Sequence, residues 1–195
     1  VVGGQTAWTV PAEVIDRLAL VEGASLPSTA AAVLDAAADE EGAFRAALRM
    51  LERRSHSRTE LARKLVRKGH REEAADGALD RLHALGLLDD AAFAEHYVAS
   101  RAGRGTGPAR LRRDLAALGV APADAEAAIA TVGQGGVADP WQKSLALATR
   151  RAASMQSLPR LTRIRRLTTF LARRGFAGEE ARRAIDGLVG TADRG

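Results

Sequence analysis

Three glycines, Gly69, Gly119 and Gly175, stand 50 and 56 residues apart, and one apolar pattern repeats around each of them. Eight and four residues before them lie Leu61 and Leu65, Leu111 and Leu115, Leu167 and Leu171. Ten and thirteen residues after them lie Leu79 and Leu82, Ile129 and Val132, Ile185 and Leu188. Spacings of three and four put each pair on one helical stripe, and a glycine between two such stripes is a helix stop. A further helix precedes each anchored one, at roughly Glu41 to Arg54, Asp90 to Ala102 and Pro140 to Ala153, the last with Asp139 as its cap. A repeat of three helices restricts the chain to a tandem array. The expected fold is all-α, three three-helix repeats (43–90, 91–138 and 139–195) in an elongated, curved arrangement behind an extension of residues 1–42.

The stretch "RSHSRTELARKLVRKG" shows the middle helix of a repeat in full. Ser57 and Glu60 have capping-box spacing, so the helix starts at Ser57, and Gly69 ends it. Leu61, Ala62, Leu65 and Val66 share one side, while Arg63, Lys64, Arg67 and Lys68 share the other. In "RAGRGTGPARLRRDLAALG" the glycines Gly103, Gly105 and Gly107 break a helix and Pro108 starts the next. Leu111, Leu115 and Leu118 form its inner stripe, and Arg110 and Arg113 face away. The third repeat turns Ile164, Leu167 and Leu171 inward and gathers Arg165, Arg166 and Arg173 on the other side. Neutralising these outward arginines should leave the cores intact.

With aromatic residues at only 4% and alanine abundant, the helices must pack closely through small side chains. There is no cysteine, hence no disulfide and no thiolate metal site, which fits a reducing compartment. No apolar run approaches the roughly 20 residues of a membrane span, so the expected location is cytoplasmic. Residues 1–42 carry seven acids against Arg17 alone, a net of −6, which leaves +11 for residues 43–195. A basic helical body points to a polyanionic partner, nucleic acid above all.

Ahead of the repeats, Gly3-Gly4 with Trp8 and Val10 in alternation suggests a β-hairpin running into a helix near Pro11, a brace for the first repeat. Only Val1 and Val2 precede that glycine pair and no methionine begins the chain, so the natural start is expected upstream. Catalytic and metal chemistry find no support. The loop glycines follow a helix and no GK[ST] element occurs. His56, His70, His83 and His96 lack the i, i+4 pairing of a zinc helix and are expected at the surface or an interface. Asp89 and Asp90 stand where a helix cap belongs, and Phe44, Phe93, Phe170 and Phe176 fall on apolar stripes, as core residues would. No catalytic residue, metal or cofactor is assigned.

Taken with "RSHSRTELARKLVRKG", the stretch "GLLDDAAFAEHYVASRAGRGTGPARLRRDL" resembles the RecX family, regulators of the bacterial recombinase RecA. The likeness runs through Arg54, Ser57, Glu60, Leu61, Lys64, Leu65, Lys68 and Gly69 to Gly86, Leu87, Leu88, Asp89 and Asp90. It continues with Phe93, Ala94, Tyr97, Val98, Arg101, Gly105, Gly107, Pro108 and Leu115, and so covers about Ala43 to Val120. The third repeat agrees mainly in helix pattern. The resemblance implies a non-enzymatic, cytoplasmic protein of three tandem three-helix repeats, at work in homologous recombination and the SOS response, and a monomer is expected. It would lodge in the groove of the RecA filament on DNA and oppose filament growth, ATP hydrolysis and strand exchange. The candidate contacts with RecA or with single- and double-stranded DNA are Arg63, Lys64, Arg67, Lys68, Arg101, Arg104, Arg110, Arg113, Arg165, Arg166 and Arg173. A plain helical DNA-binding protein acting without RecA is the alternative. It would be expected to read bases from one recognition helix, whereas these cations are spread over three repeats. The cap is directly testable: Ser57→Ala should lower stability by about 0.5 to 2 kcal/mol in urea denaturation, through loss of an amide partner.

Overall fold

The computed structural model describes residues 8–23, 25–27, 29–134 and 140–190, and those residues form ten helices and no strand. The helices are α1 (Ala12–Arg17), α2 (Ala30–Leu51), α3 (Arg58–Arg67), α4 (Glu72–Ala84), α5 (Asp90–Ala102), α6 (Pro108–Ala117), α7 (Pro122–Gln134), α8 (Pro140–Ala153), α9 (Arg160–Arg174) and α10 (Glu179–Gly190). None is long and apolar enough to cross a membrane. Both the Gly3-Gly4 hairpin and the Asp139 cap fall outside the described residues. Helix α2 begins at Ala30 rather than near Glu41. The run "AAAVLDAAADEE" before Gly42 has no proline or glycine and high helix propensity, so nothing stops the helix there. The extension and the first repeat therefore share one continuous helix.

The chain divides into two compact units, Val1–Asp89 and Asp90–Gly195. In the first, α2 and α4 pack together through Ala43, Ala46, Ala47, Ala75 and Ala78, and α3 adds Leu61 and Leu65, both fully buried. A satellite core covers the start of α2. There Val14 of α1 meets Ala30 and Leu34, Trp8 and Val10 pack around them, and Trp8 Nε1 donates to Asp35 Oδ1 at 2.5 Å. The extension thus braces the first helix of the first repeat. Within the second unit α5 pairs with α7 and α8 with α10, again across alanines: Ala94, Ala125 and Ala128 in one pair, Ala148, Ala181 and Ala184 in the other. The middle helices α6 and α9 seal these pairs with Leu111 and Leu115, and with Leu167 and Leu171.

The three glycine stops are built alike. At Gly69, Gly119 and Gly175 the backbone has positive φ, +96°, +77° and +88°. The residue after each glycine donates to the carbonyl five positions back: His70 to Leu65, Val120 to Leu115, Phe176 to Leu171. This is the Schellman arrangement, which satisfies carbonyls that the helix leaves orphaned.

The starts of the same helices differ. Helix α3 is capped by its own side chain, Ser57 Oγ accepting from Glu60 N at 3.2 Å. Helix α6 is capped by another helix. Gly107 N donates to Arg174 O at 2.7 Å, and Ala109 N donates to Gly175 O at 3.1 Å. Donors left over at one helix start meet carbonyls left over at another helix end, with favourably opposed dipoles. The backbones touch. A Cβ on Gly107 would lie 2.4 Å from the carbonyl carbon of Gly175, and one on Gly175 would lie 2.4 Å from Arg110 Cβ. Lys143 of α8 adds a donor to Ala102 O, at the end of α5, at 3.3 Å. This joint locks the second repeat to the third.

Gly107→Ala should therefore destabilise the second unit by the upper end of about 1 to 3 kcal/mol, since backbone rather than a flexible side chain must move. Gly103→Ala, whose Cβ would find its nearest neighbour 3.7 Å away, should change little. Urea titrations of both variants, monitored by circular dichroism, check the contrast.

Candidate functional site

Outward cations occur on α3, α6 and α9, but the three helices use them differently. On α3, Arg63 and Arg67 border a shallow cavity of about 480 Å³ shared with Val66, and Glu72 and Asp76 of α4 line it as well. Lys68 is exposed. Lys64 belongs elsewhere. Its Nζ donates to Glu60 Oε1 at 3.0 Å and lies 3.3 Å from His56 Nδ1. Glu60 is the centre of this cluster, bound also by both terminal nitrogens of Arg54 and, at 2.9 Å, by His56 Nδ1. Burial alone would raise the Glu60 carboxyl, but the hydrogen bonds from Arg54, Lys64 and His56 outweigh it and hold the group at about 2. His56, expected at the surface or an interface, is only 4% exposed. Its burial lowers the imidazole pKa, and the Glu60 carboxylate offsets only part of that.

Asp39 and Glu41 of the extension are likewise engaged within the first unit. Asp39 on α2 receives His70 Nδ1 at 2.7 Å and Arg71 N at 3.0 Å, tying α2 to the start of α4. Burial would raise the Asp39 carboxyl, yet these bonds leave it lowered. Glu41 holds Arg45 at 2.8 Å and Arg81 at 2.9 Å, and Arg81 in turn covers the Phe44 ring 3.9 Å from its centroid.

In the second repeat the cations are largely spoken for, and residues 90–139 carry five of them against six acids. Arg101 lies over Tyr97 at 4.4 Å, and the Tyr97 hydroxyl donates to Asp114 Oδ2 at 3.3 Å. Arg112 pairs with Glu126 at 2.5 Å, while Arg113 Nε donates to Ala109 O at 3.3 Å. Arg104 is exposed. Arg110 reaches the joint: its NH1 donates to Arg173 O at 3.4 Å and its Cβ lies 2.4 Å from where a Cβ on Gly175 would fall.

The third repeat is different. Between residues 140 and 178 the sequence has nine lysines and arginines and no acid. Arg165, Arg166 and Arg173 are exposed and, with Arg151 of α8, surround a cleft of about 570 Å³ whose floor is Phe170. Phe170 is half-buried beneath two guanidinium groups, those of Arg174 at 5.4 Å and Arg151 at 5.9 Å, whereas Phe44, Phe93 and Phe176 are core residues as expected. Neither Arg151 nor Phe170 stands out as a surface group by helical periodicity. The absence of acid over 39 consecutive residues is the sequence signal that marks them.

These features define an all-α protein of tandem three-helix units whose middle helices carry cations. Models of the RecX family match each unit: the first three-helix domain over residues 43–82, the second over 89–129 and the third over 138–185. The regulatory protein RecX of Stenotrophomonas maltophilia is 39% identical over 145 residues, 74% of this chain and 86% of that one. That of Halorhodospira halophila is 38% identical over 150 residues, 77% and 90% of the two chains. A crystal structure of a regulatory protein RecX shares the fold with a TM-score of 0.78 at 21% identity, covering 98% of this chain and 92% of that one. The chain belongs to the RecX family.

The half-buried Glu60 cluster fixes a pH dependence. The Glu60 carboxyl is lowered from 4.5 to about 2, so its contribution, on the order of 3 kcal/mol, is complete above pH 4.5 and is lost as pH falls toward 2. His56, with a folded pKa below 6.5, acts in the same sense, its contribution fading as pH falls below 6.5. Melting temperatures across this range should fall steadily with acid, and Glu60→Gln should lower the plateau and flatten the acid limb.

Proposed function

We propose that this chain is a non-enzymatic inhibitor of a RecA-type recombinase. It binds in the groove of the RecA filament on DNA and opposes filament growth, ATP hydrolysis and strand exchange. The observation that carries this reading is the succession of all three RecX three-helix domains over residues 43–185, each with exposed cations on its middle helix. The groove of a nucleoprotein filament offers protein and phosphate together. A chain with a mixed apolar and charged cavity on α3 of one unit and an acid-free cleft at α9 of the other has the chemistry to meet both. The protein acts as a monomer in the cytoplasm.

The test is to add the protein to RecA on single-stranded DNA and to follow filament length and ATP hydrolysis together. Both should fall at protein levels well below that of RecA, and the protein alone should hydrolyse no nucleotide. No effect even at equal levels would overturn the reading.

A further inference from the structure

We infer that the cleft between α8 and α9 is the seat of a single nucleic-acid strand, with Arg165, Arg166, Arg173 and Arg151 on its phosphates and Phe170 against a base. This deepens the function proposed above by saying where the DNA lies, and it takes its biological setting from that reading. The first support is charge. The cleft lies in a segment of nine cations and no acid, so no carboxylate of α8 or α9 neutralises its arginines. Crowded like charges repel one another, and a polyanion relieves that repulsion while releasing its own counterions.

Spacing is the second support. Arg165 and Arg173 stand eight residues apart on α9, or about 12 Å along the helix at 1.5 Å per residue. That is the axial reach of about three or four phosphates of one strand at 3.4 Å each. A small anion would leave most of the cleft's 570 Å³ unfilled. Third, of the two threonines that line the cleft with its four arginines, Thr169 donates its hydroxyl back to Arg165 O at 2.9 Å, so the donors are mainly guanidinium groups, well matched to phosphate. Finally, Phe170 gives the cleft an apolar floor. In a duplex the faces of the bases are stacked away, whereas a single strand presents them, and stacking tolerates any sequence.

The second repeat lacks these properties. Its cations stand among acids, Arg112 paired with Glu126 and Arg110 with Asp114 3.8 Å away, and Arg110 also reaches Arg173 O. The assignment therefore separates the repeats. Binding of a fluorescein-labelled oligothymidylate to the full chain, followed by anisotropy across a salt series, tests it. Replacing Arg165, Arg166 and Arg173 with Gln should lower affinity more than tenfold at low salt and reduce the salt slope by about 2, at about 0.7 per lost contact. The Lys triple variant should keep the slope, and Arg49→Gln with Arg53→Gln, two exposed cations at the end of α2, should bind as the parent does. If the Gln triple variant fails to melt as a folded protein, the three single variants should each lower the slope by about 0.7. Phe170→Leu should weaken single-strand binding about tenfold at unchanged slope.

A folded Gln triple variant with parental affinity and slope overturns the assignment whatever RecA does, and so does a Phe170→Leu variant that binds as the parent does. A parent chain that binds the oligonucleotide through this cleft yet leaves RecA filaments untouched overturns the filament reading and leaves the cleft standing.

Discussion

The contact between Gly107 and Gly175 decides how the second unit is put together. Helix α6 starts with proline, which has no N–H to satisfy, and with two amides that find no partner in their own helix. Helix α9 ends on carbonyls in the same position. Joining the two ends satisfies four groups with two hydrogen bonds, but only if both backbones come within reach, and any side chain at either residue would prevent that. The joint also has a functional consequence. It brings the last turn of α9, with Arg173, against the first turn of α6, with Arg110.

Alanine does for the helix pairs what glycine does for the joint. In all three repeats the first and third helices meet across alanines, which lets them approach closely without filling space with aromatic rings, and the leucines of the middle helix close the remaining side. Cores so lean gain modest apolar burial, so polar ties between helices matter more than in a core rich in aromatic rings. The first unit shows this plainly. Asp39 and Glu41 on α2 hold α4 through Arg71 and Arg81, and Glu60 gathers Arg54, His56 and Lys64 around the start of α3. The charge asymmetry of the sequence is thus partly internal bonding rather than a field directed at a partner.

What could be read from the sequence was what neighbours in the chain decide. Helix periodicity, the glycine stops and the Ser57 cap depend on residues within about one or two turns of each other, and α5 and α8 span the residues that this spacing predicts. The early start of α2 was harder to see because alanine runs carry propensity but no periodic stripe. The Gly107–Gly175 joint had no local signature: its partners lie 68 residues apart, and each glycine already had a sufficient local explanation as a helix breaker or stop. The same ambiguity affects the cations. Periodicity places Lys64, Arg110 and Arg165 alike on outward faces, yet one closes a half-buried ion cluster, one steadies a backbone joint and one lines an open cleft. Only the distribution of acids separates them, because an arginine's role is set by which carboxylates can reach it.

The three repeats are therefore alike in fold and unlike in surface. The helix stops and the alanine seams, which each repeat needs in order to fold, recur in all three, while the outward residues of the middle helices differ. In a partner made of both protein and DNA, such divergence has a physical use. Contacts with phosphate are long-ranged and weaken steeply with salt, whereas contacts through an apolar and mixed-charge cavity are short-ranged and depend on fit. A chain bearing one kind on α9 and the other on α3 can be drawn to DNA by the first and held to a protein lattice by the second. Naked DNA would satisfy only α9. On the proposed function, preference for the filament over free DNA then follows from the inequality of the repeats and requires no base-specific contact.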